Sequence, residues 1–283
     1  MEIKEFGAKL LLSKDLDPLY VLLNEARERE LLPYPQLAQF CLAYWCFYHA
    51  GVAAWICDDW EDEDKFWIRM SIAAQNTRKE FPRGKERRHF RGNAAIESVY
   101  DLNAQRGIWS NEAQKYWGAE EIVTAAHRAT FKDTAKAVKK WVGFGNWMAF
   151  KVADMFDRVL MLPVDFSDCA LDMYDGPIKG AELYIETYAS WTLKGTNTTK
   201  GYKVNHAVKE LLEHFKGFDA PPSNDRKVNI QEVETILCKW KSHMNGHYYV
   251  GEDIHDLKKA LLWIEQESKL SKVLTDVCAE CFS

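Results

Sequence analysis

The stretch from Lys139 to Asp168 combines a glycine turn with a downstream carboxylate, a pairing that could do chemistry on a nucleic acid. Gly143 and Gly145 flank Phe144 between two helical patterns, and glycine tolerates the positive φ of a tight turn. A helix that begins after such a turn presents backbone N–H groups, which can bind a phosphate without a side chain. Asp165 follows Gly145 by twenty residues. We therefore predict a helix-hairpin-helix at about 132–160, followed by a carboxylate at Asp165.

A second chemical signal is the basic segment, which we define as residues 78–92. Seven of its fifteen residues are Lys or Arg, and Phe81, His89 and Phe90 lie among them. The whole chain has a net charge of −5, so this local concentration of positive charge favours a polyanionic partner. A solvated charge run is the alternative interpretation. Arginine side chains bind phosphate oxygens in a bidentate manner, which makes this segment a candidate phosphate site.

The elements that must position these residues are predicted to be helices, because alternating β patterns are sparse. One long buried helix is expected to resume after Pro35 and run through Cys57, and Glu63–Asn76 should follow it. Further helices are expected at Asp17–Leu31, Ala94–Gln105, Ala119–Ala129, Lys132–Trp141, Trp147–Leu160, Gly180–Trp191, Val204–Phe215, Ile230–Met244 and Ile254–Glu267. A single mostly α domain over 1–283, with two lobes around a cleft, is the simplest architecture.

The hairpin and the aspartate resemble the helix-hairpin-helix DNA glycosylase superfamily. Its members carry a G-x-G-x-x-x-A hairpin, which Gly143, Gly145 and Ala149 match, and a Pro-x-Asp turn, which Pro163 and Asp165 match. The resemblance implies a glycosylase-like helical fold, a flipped base and a catalytic aspartate. It also implies that four residues contact DNA: Gly143, Gly145, Asn146 and Trp147.

Two departures from that superfamily narrow the chemistry. Bifunctional glycosylases place a Schiff-base lysine two residues after the second hairpin glycine, where this chain has Trp147. Members with an iron–sulfur cluster use four C-terminal cysteines, and only Cys278 and Cys281 occur here. The resemblance therefore implies neither lyase chemistry through a lysine imine nor a cluster.

The segment ERRHFRG, together with the hairpin and a Trp-rich body, is similar to a bacteriophage branch of the superfamily. This branch comprises the alpha-glutamyl/putrescinyl-thymine pyrophosphorylases and amino acid:DNA transferases. The resemblance implies replacement of the pyrophosphate of 5-pyrophosphoryloxymethyl-uracil in DNA by an amine, such as glycine or putrescine. The residues expected to hold the pyrophosphate or substrate are Arg83, Arg87, Arg88, His89, Arg91 and Lys241. A monofunctional glycosylase and a non-enzymatic DNA-binding or DNA-mimic protein are the alternatives.

The expected partners are double-stranded DNA with a flipped modified pyrimidine and a small amine or amino acid. No membrane partner is expected, and the scattered cysteines are typical of a cytoplasmic protein, here the host cytoplasm if the chain is viral. No cofactor or resident metal is predicted, although Mg²⁺ could assist pyrophosphate departure. His243 and His247 are four residues apart, a spacing that allows metal binding on a helix but lacks a fixed third ligand. A DNA-contacting or plain surface helix is the alternative there.

Overall fold

The structure, a computed structural model, describes residues 1–77, 79–84, 87, 89–106, 129–188, 199–264 and 266–283. These residues are mostly helical, which confirms the predicted mostly α class. The helices in chain order are α1 (Ile3–Leu12), α2 (Pro18–Glu28), α3 (Tyr34–Phe47), α4 (Ala50–Ile56), α5 (Glu63–Gln75), α6 (Asn93–Arg106), α7 (Phe131–Val138), α8 (Asn146–Arg158), α9 (Asp175–Tyr188), α10 (Lys200–Phe215), α11 (Ile230–Met244), α12 (Glu252–Leu262) and α13 (Lys269–Cys281).

Two short strands accompany the helices in the described ranges. Strand β1 is Ala129–Thr130 and strand β2 is Val164–Asp165, and they pair in parallel with Thr130 opposite Asp165. Short 3₁₀ turns follow at Phe166–Asp168 and Leu171–Met173. The helix predicted for Ala119–Ala129 lies almost wholly outside the described residues, while Ala129 itself is in β1.

The chain folds into two compact units. The first unit contains Met1–Val21 and Asp168–His255, and the second contains Leu22–Ser167 and Asp256–Ser283. Each unit joins segments that are distant in sequence. The predicted single domain with two lobes around a cleft stays a prediction.

The core of the first unit forms where α9, α10, α11 and α1 pack together. Gly180 makes the approach of α9 to α11 close, because a Cβ there would meet the Leu237 carbonyl oxygen at 2.2 Å. The fully buried Asp15 accepts hydrogen bonds from the Tyr248 hydroxyl and from the Gly251 and Ile254 amides. This carboxylate thereby holds the turn before α12.

The long helix predicted through Cys57 is wrong at its middle, because the second unit breaks it into α3 and α4. Tyr48 ends α3 with a left-handed backbone at φ 52°, a conformation that L-residues cannot repeat along a helix. His49 is extended and begins α4 by accepting a hydrogen bond from the Val52 amide at 3.2 Å. The break could not be predicted because the sequence is continuously apolar through this region.

Two further differences concern the chain termini and the bounds of individual helices. Helices α1 and α13 were missed, and α12 ends at Leu262 rather than Glu267. None of the helices in the described ranges combines the length and apolar character that a membrane crossing requires.

His49 makes the stability of this fold depend on pH. Burial lowers the pKa of its imidazole from 6.5 to about 4. Between these pH values the imidazole is therefore mostly protonated in the unfolded chain and mostly neutral in the folded chain. The stabilisation is complete above the unfolded pKa and is lost as the pH falls from about 6.5 towards 4. We expect His49 to account for a loss of about 3 kcal/mol in unfolding free energy over that window.

Denaturant unfolding at several pH values measures this loss, with His49→Asn as the comparison because asparagine can still cap α4. The variant should show a shallower decline of stability between pH 6.5 and 4. Equal slopes for the two proteins would contradict the assignment to His49.

Candidate functional site

Asp165 lies on β2, where both helices of the hairpin pack. Helices α7 and α8 contact each other, and each contacts β2. The Asp165 side chain is half-buried, and its Oδ1 accepts a hydrogen bond from the Ser167 amide at 2.8 Å. The backbone of β2 is also paired with β1 immediately before α7. Asp165 is therefore fixed to the hairpin by main-chain pairing and by packing.

Three phenylalanine rings pack together at this attachment. Phe131 begins α7, Phe150 lies in α8, and Phe166 follows Asp165 directly. Their ring centroids lie 5.5 Å apart for Phe131 and Phe166, 5.9 Å for Phe131 and Phe150, and 5.8 Å for Phe150 and Phe166. All three rings are buried, and aromatic pairs at such distances add to the burial energy. The position of Asp165 thus follows the position of both hairpin helices.

Two helices meet where the hairpin is predicted, α7 at Phe131–Val138 and α8 at Asn146–Arg158, and a partly exposed turn joins them. Gly143 has φ 78°, which only glycine adopts without strain. Gly145 is the N-cap of α8, and no side chain caps the helix there. The side-chain oxygen Oδ1 of Asn146 instead accepts a hydrogen bond from Lys139 Nζ at 3.2 Å. Helix α8 therefore begins one residue before the predicted start at Trp147.

The start of α8 is well suited to an anion. Gly145 is exposed, and the space where its Cβ would lie is open to 4 Å. The first turn of α8 contains no acidic residue, and the N–H groups of a first turn have no partner within their own helix. Exposed lysines lie in the turn itself at Lys139 and Lys140, and Lys136 is exposed in the last turn of α7. The geometry supports binding of one phosphate by backbone N–H groups, within a positive field.

The structure places the basic segment against the hairpin turn. Arg83 is buried and donates to the carbonyl oxygens of Phe90, Ala73 and Asn76. His89 and Arg91 are exposed. Three other basic residues of the segment fall outside the described residues: Arg78, Lys85 and Arg88. Arg83 donates its hydrogen bonds to main-chain carbonyl oxygens. Among the predicted pyrophosphate ligands that the structure describes, the exposed His89 and Arg91 are therefore more accessible than Arg83.

Arg87 connects two parts of the second unit. It is 3% exposed, and its guanidinium donates from Nε to Cys46 O at 3.2 Å and from Nη1 to Gly143 O at 2.6 Å. The same group stacks on Phe90 and Phe144, 4.8 and 4.5 Å from their centroids. Burial lowers the pKa of this guanidinium to about 10. Arg87 thus joins the end of α3 to the hairpin turn, and its predicted contact with pyrophosphate stays a prediction.

Trp147, another predicted DNA contact, is half-buried at the second position of α8. Its ring meets Tyr48 at a centroid distance of 5.1 Å. Sequence reasoning missed Tyr48 because the surrounding apolar run indicated a buried helix. A signal was present, since the run is unusually rich in aromatic residues.

Lys241 and the two histidines near it lie in the first unit, at or beyond the end of α11. Lys241 is half-buried and His247 is exposed. His243 stacks on Phe6 at 4.8 Å, and its Nδ1 lies 3.0 Å from Tyr248 O. Within the described ranges, no three side chains of the His, Cys, Asp and Glu types are placed to share a metal ion. The predicted role of Lys241 with substrate stays a prediction.

Known phage proteins resemble this chain along much of its length. The profile of the family described as amino acid:DNA transferase matches residues 13–247. The chain is 39% identical to a glycinyltransferase of Pseudomonas phage PaMx11, over 99% of this chain and 97% of that protein. It is 27% identical to a putrescinyltransferase of Delftia phage PhiW-14, over 88% of this chain and 74% of that protein. The similarity therefore covers both compact units rather than the hairpin alone.

Proposed function

The chain belongs to the amino acid:DNA transferase family, and on that premise we propose that it replaces the pyrophosphate of 5-pyrophosphoryloxymethyl-uracil in DNA with an amine. One observation supports the site of reaction above all others. The strand that carries Asp165 is packed against both helices of a hairpin whose exposed turn suits a DNA phosphate. In this proposal the hairpin turn binds the DNA backbone, and the Asp165 carboxylate contacts the nucleotide that leaves the duplex beside it.

DNA binding begins at the turn between α7 and α8. The backbone N–H groups at the start of α8 hold one phosphate, and Lys139 and Lys140 strengthen the local positive field. The modified nucleotide leaves the base stack so that its methylene carbon is accessible. His89 and Arg91 of the basic segment, together with Arg88, bind the pyrophosphate and stabilise the charge that develops on it.

Asp165 acts as the general base of the transfer. Its carboxylate accepts a proton from the incoming ammonium, which leaves a neutral amine with a free electron pair. The nitrogen attacks the methylene carbon and forms a carbon–nitrogen bond. The carbon–oxygen bond breaks at the same carbon, and its electron pair leaves with pyrophosphate. The proton on Asp165 then passes to water.

The co-substrate that we propose is an amino acid such as glycine. The glycinyltransferase relative is similar to this chain across nearly all of both proteins, which supports glycine over putrescine. We also propose that the reaction occurs in the cytoplasm of an infected host, where phage DNA is accessible.

Pyrophosphate release tests this function. The purified protein, incubated with DNA that contains 5-pyrophosphoryloxymethyl-uracil, should release pyrophosphate only when an amine is added. Glycine should support faster release than putrescine, and unmodified thymine DNA should give none. Release at equal rates without an amine would indicate hydrolysis, and appearance of a free base would indicate a glycosylase.

The lysines beside the hairpin turn predict the salt dependence of DNA binding. The double variant Lys139→Gln/Lys140→Gln should lower the slope of log affinity against log salt by about 1–2, since each neutralised phosphate contributes about 0.9. Fluorescence anisotropy with duplex DNA at several salt concentrations measures this slope.

The matched control is Lys269→Gln/Lys272→Gln, which removes the same charge from exposed positions on α13 in the same unit. Its slope should stay near that of the unchanged protein. If both double variants lower the slope equally, the effect comes from net charge rather than from the hairpin.

A further inference from the structure

Three aromatic rings form a continuous, partly exposed row in the second unit, which we call the aromatic ledge: Tyr44, Tyr48 and Trp147. The centroids of Tyr44 and Tyr48 lie 4.7 Å apart, and those of Tyr48 and Trp147 lie 5.1 Å apart. Each of the three side chains keeps part of its surface accessible. Fully packed aromatic cores of this chain, such as Phe131, Phe150 and Phe166, are buried instead.

Tyr48, the middle residue of the ledge, has a left-handed backbone conformation. Tyr48 has φ 52°, which is uncommon for a bulky residue and points to a constraint imposed by its surroundings. Its amide donates to Tyr44 O, and the Gly84 amide donates to Phe47 O at 3.0 Å. A Cβ at Gly84 would lie only 3.0 Å from Tyr48 Cβ and from Tyr48 O. The absence of a side chain at Gly84 therefore lets the basic segment press against Tyr48.

The ledge adjoins the phosphate-binding turn. Trp147 follows Gly145, the N-cap of α8, by two residues. Arg87 joins the carbonyl of Cys46, two residues before Tyr48, to the carbonyl of Gly143, in the turn before α8. The buried Arg87 guanidinium thus links the end of α3, which carries Tyr44, to the turn before α8, which carries Trp147. The turn that suits a phosphate and the Trp147 end of the ledge are therefore neighbours in the chain.

We propose that the aromatic ledge stacks the pyrimidine that is extruded from the DNA. This inference rests on the proposed function, because it takes the substrate to be a base in DNA. Every base presents a flat π face, which aromatic rings bind without regard to hydrogen-bond pattern. The lysines around the turn favour a polyanion over an apolar protein segment as the occupant. The ledge adds Tyr44 and Tyr48 to the residues that meet the substrate.

A binding experiment with plain thymine tests the ledge apart from the transfer reaction. The probes are two duplexes of the same sequence, one fully paired and one with a single unpaired thymine. The unchanged protein should bind the unpaired-thymine duplex more tightly. Trp147→Leu and Tyr48→Leu should each reduce the preference for the unpaired-thymine duplex, measured as the ratio of its affinity to that of the paired duplex, about tenfold.

Conservative and distant variants keep this test informative if a leucine variant is poorly folded. Trp147→Phe and Tyr48→Phe retain a ring and should retain the preference for unpaired thymine. Trp67→Leu is the control, since Trp67 is a partly exposed ring that contacts Tyr100 at 4.9 Å on other helices of the same unit. A preference that survives in both leucine variants, or that is missing in the unchanged protein, would overturn the ledge. Failure of amine transfer with the preference intact would refute only the proposed function.

Discussion

Replacing Asp165 with asparagine is expected to lower the rate of amine transfer to DNA by about 10²–10⁴-fold, the usual contribution of a positioned general base. Asparagine keeps the shape of the side chain and can still accept a hydrogen bond from the Ser167 amide. It cannot take a proton from an ammonium. The fold and the phosphate-binding turn should therefore persist while the amine stays protonated and unreactive. Single-turnover transfer assays and DNA-binding measurements on the same preparation separate the two effects.

The matched control for this experiment is Asp133→Asn. Asp133 is exposed in the first turn of α7, in the same unit, and its loss changes the net charge equally. That variant should transfer at close to the full rate. If Asp165→Asn also keeps full turnover, Asp165 takes no part in the chemistry.

Replacing Arg87 with methionine is expected to destabilise the protein by about 2–4 kcal/mol, as when a buried hydrogen-bonded group is lost. The carbonyl oxygens of Cys46 and Gly143 would lose their donor, and Phe90 and Phe144 would lose a stacked cation. The desolvation that lowers the pKa of Arg87 offsets part of this loss. Denaturant unfolding measures the change in free energy.

Arg91→Met is the control for Arg87, because it removes a neighbouring arginine that is exposed. Its unfolding free energy should change by less than about 0.5 kcal/mol, as is usual for surface positions. Arg87→Lys should fall between the two, since an ammonium lacks the planar fork that reaches two carbonyl groups. Equal midpoints for Arg87→Met and Arg91→Met would show that the link to the hairpin turn carries little energy.

The pair of helices around the glycine turn could be predicted from the sequence because its signals are local. Glycine at a positive φ, as at Gly143, and a helix that starts directly after the turn are features of neighbouring residues. The short parallel pairing of β1 with β2 could not be predicted, because it joins Thr130 to Asp165 across the whole hairpin. The packing of Phe131 on Phe166 depends on the same long-range arrangement.

The basic segment shows where composition misleads. Its charge predicts exposed phosphate ligands. Arg83 and Arg87 are instead buried, and both donate hydrogen bonds to main-chain carbonyl oxygens. Nothing in the identity of these arginines distinguishes them from the exposed Arg91, since all lie in one irregular segment. The distinction arises from carbonyl groups left by the ends of α3 and α5 and by the hairpin turn. Those acceptors exist only once the second unit has folded.

Tyr48 illustrates a second limit. The apolar run around it is consistent with one continuous helix, and the sequence has neither proline nor glycine at the break itself. The left-handed turn at Tyr48 is favoured by contacts with Gly84, more than thirty residues away. This turn brings Tyr48 to the start of α8, where its ring meets Trp147.

Mass analysis of nucleosides tests the proposed transfer most directly. DNA containing 5-pyrophosphoryloxymethyl-uracil is incubated with the protein and isotopically labelled glycine, then digested completely to nucleosides. We expect a thymidine derivative that carries the label on its methylene group, with its glycosidic bond intact. If no nucleoside carries the label, or if a free modified base appears together with abasic DNA, amine transfer is contradicted.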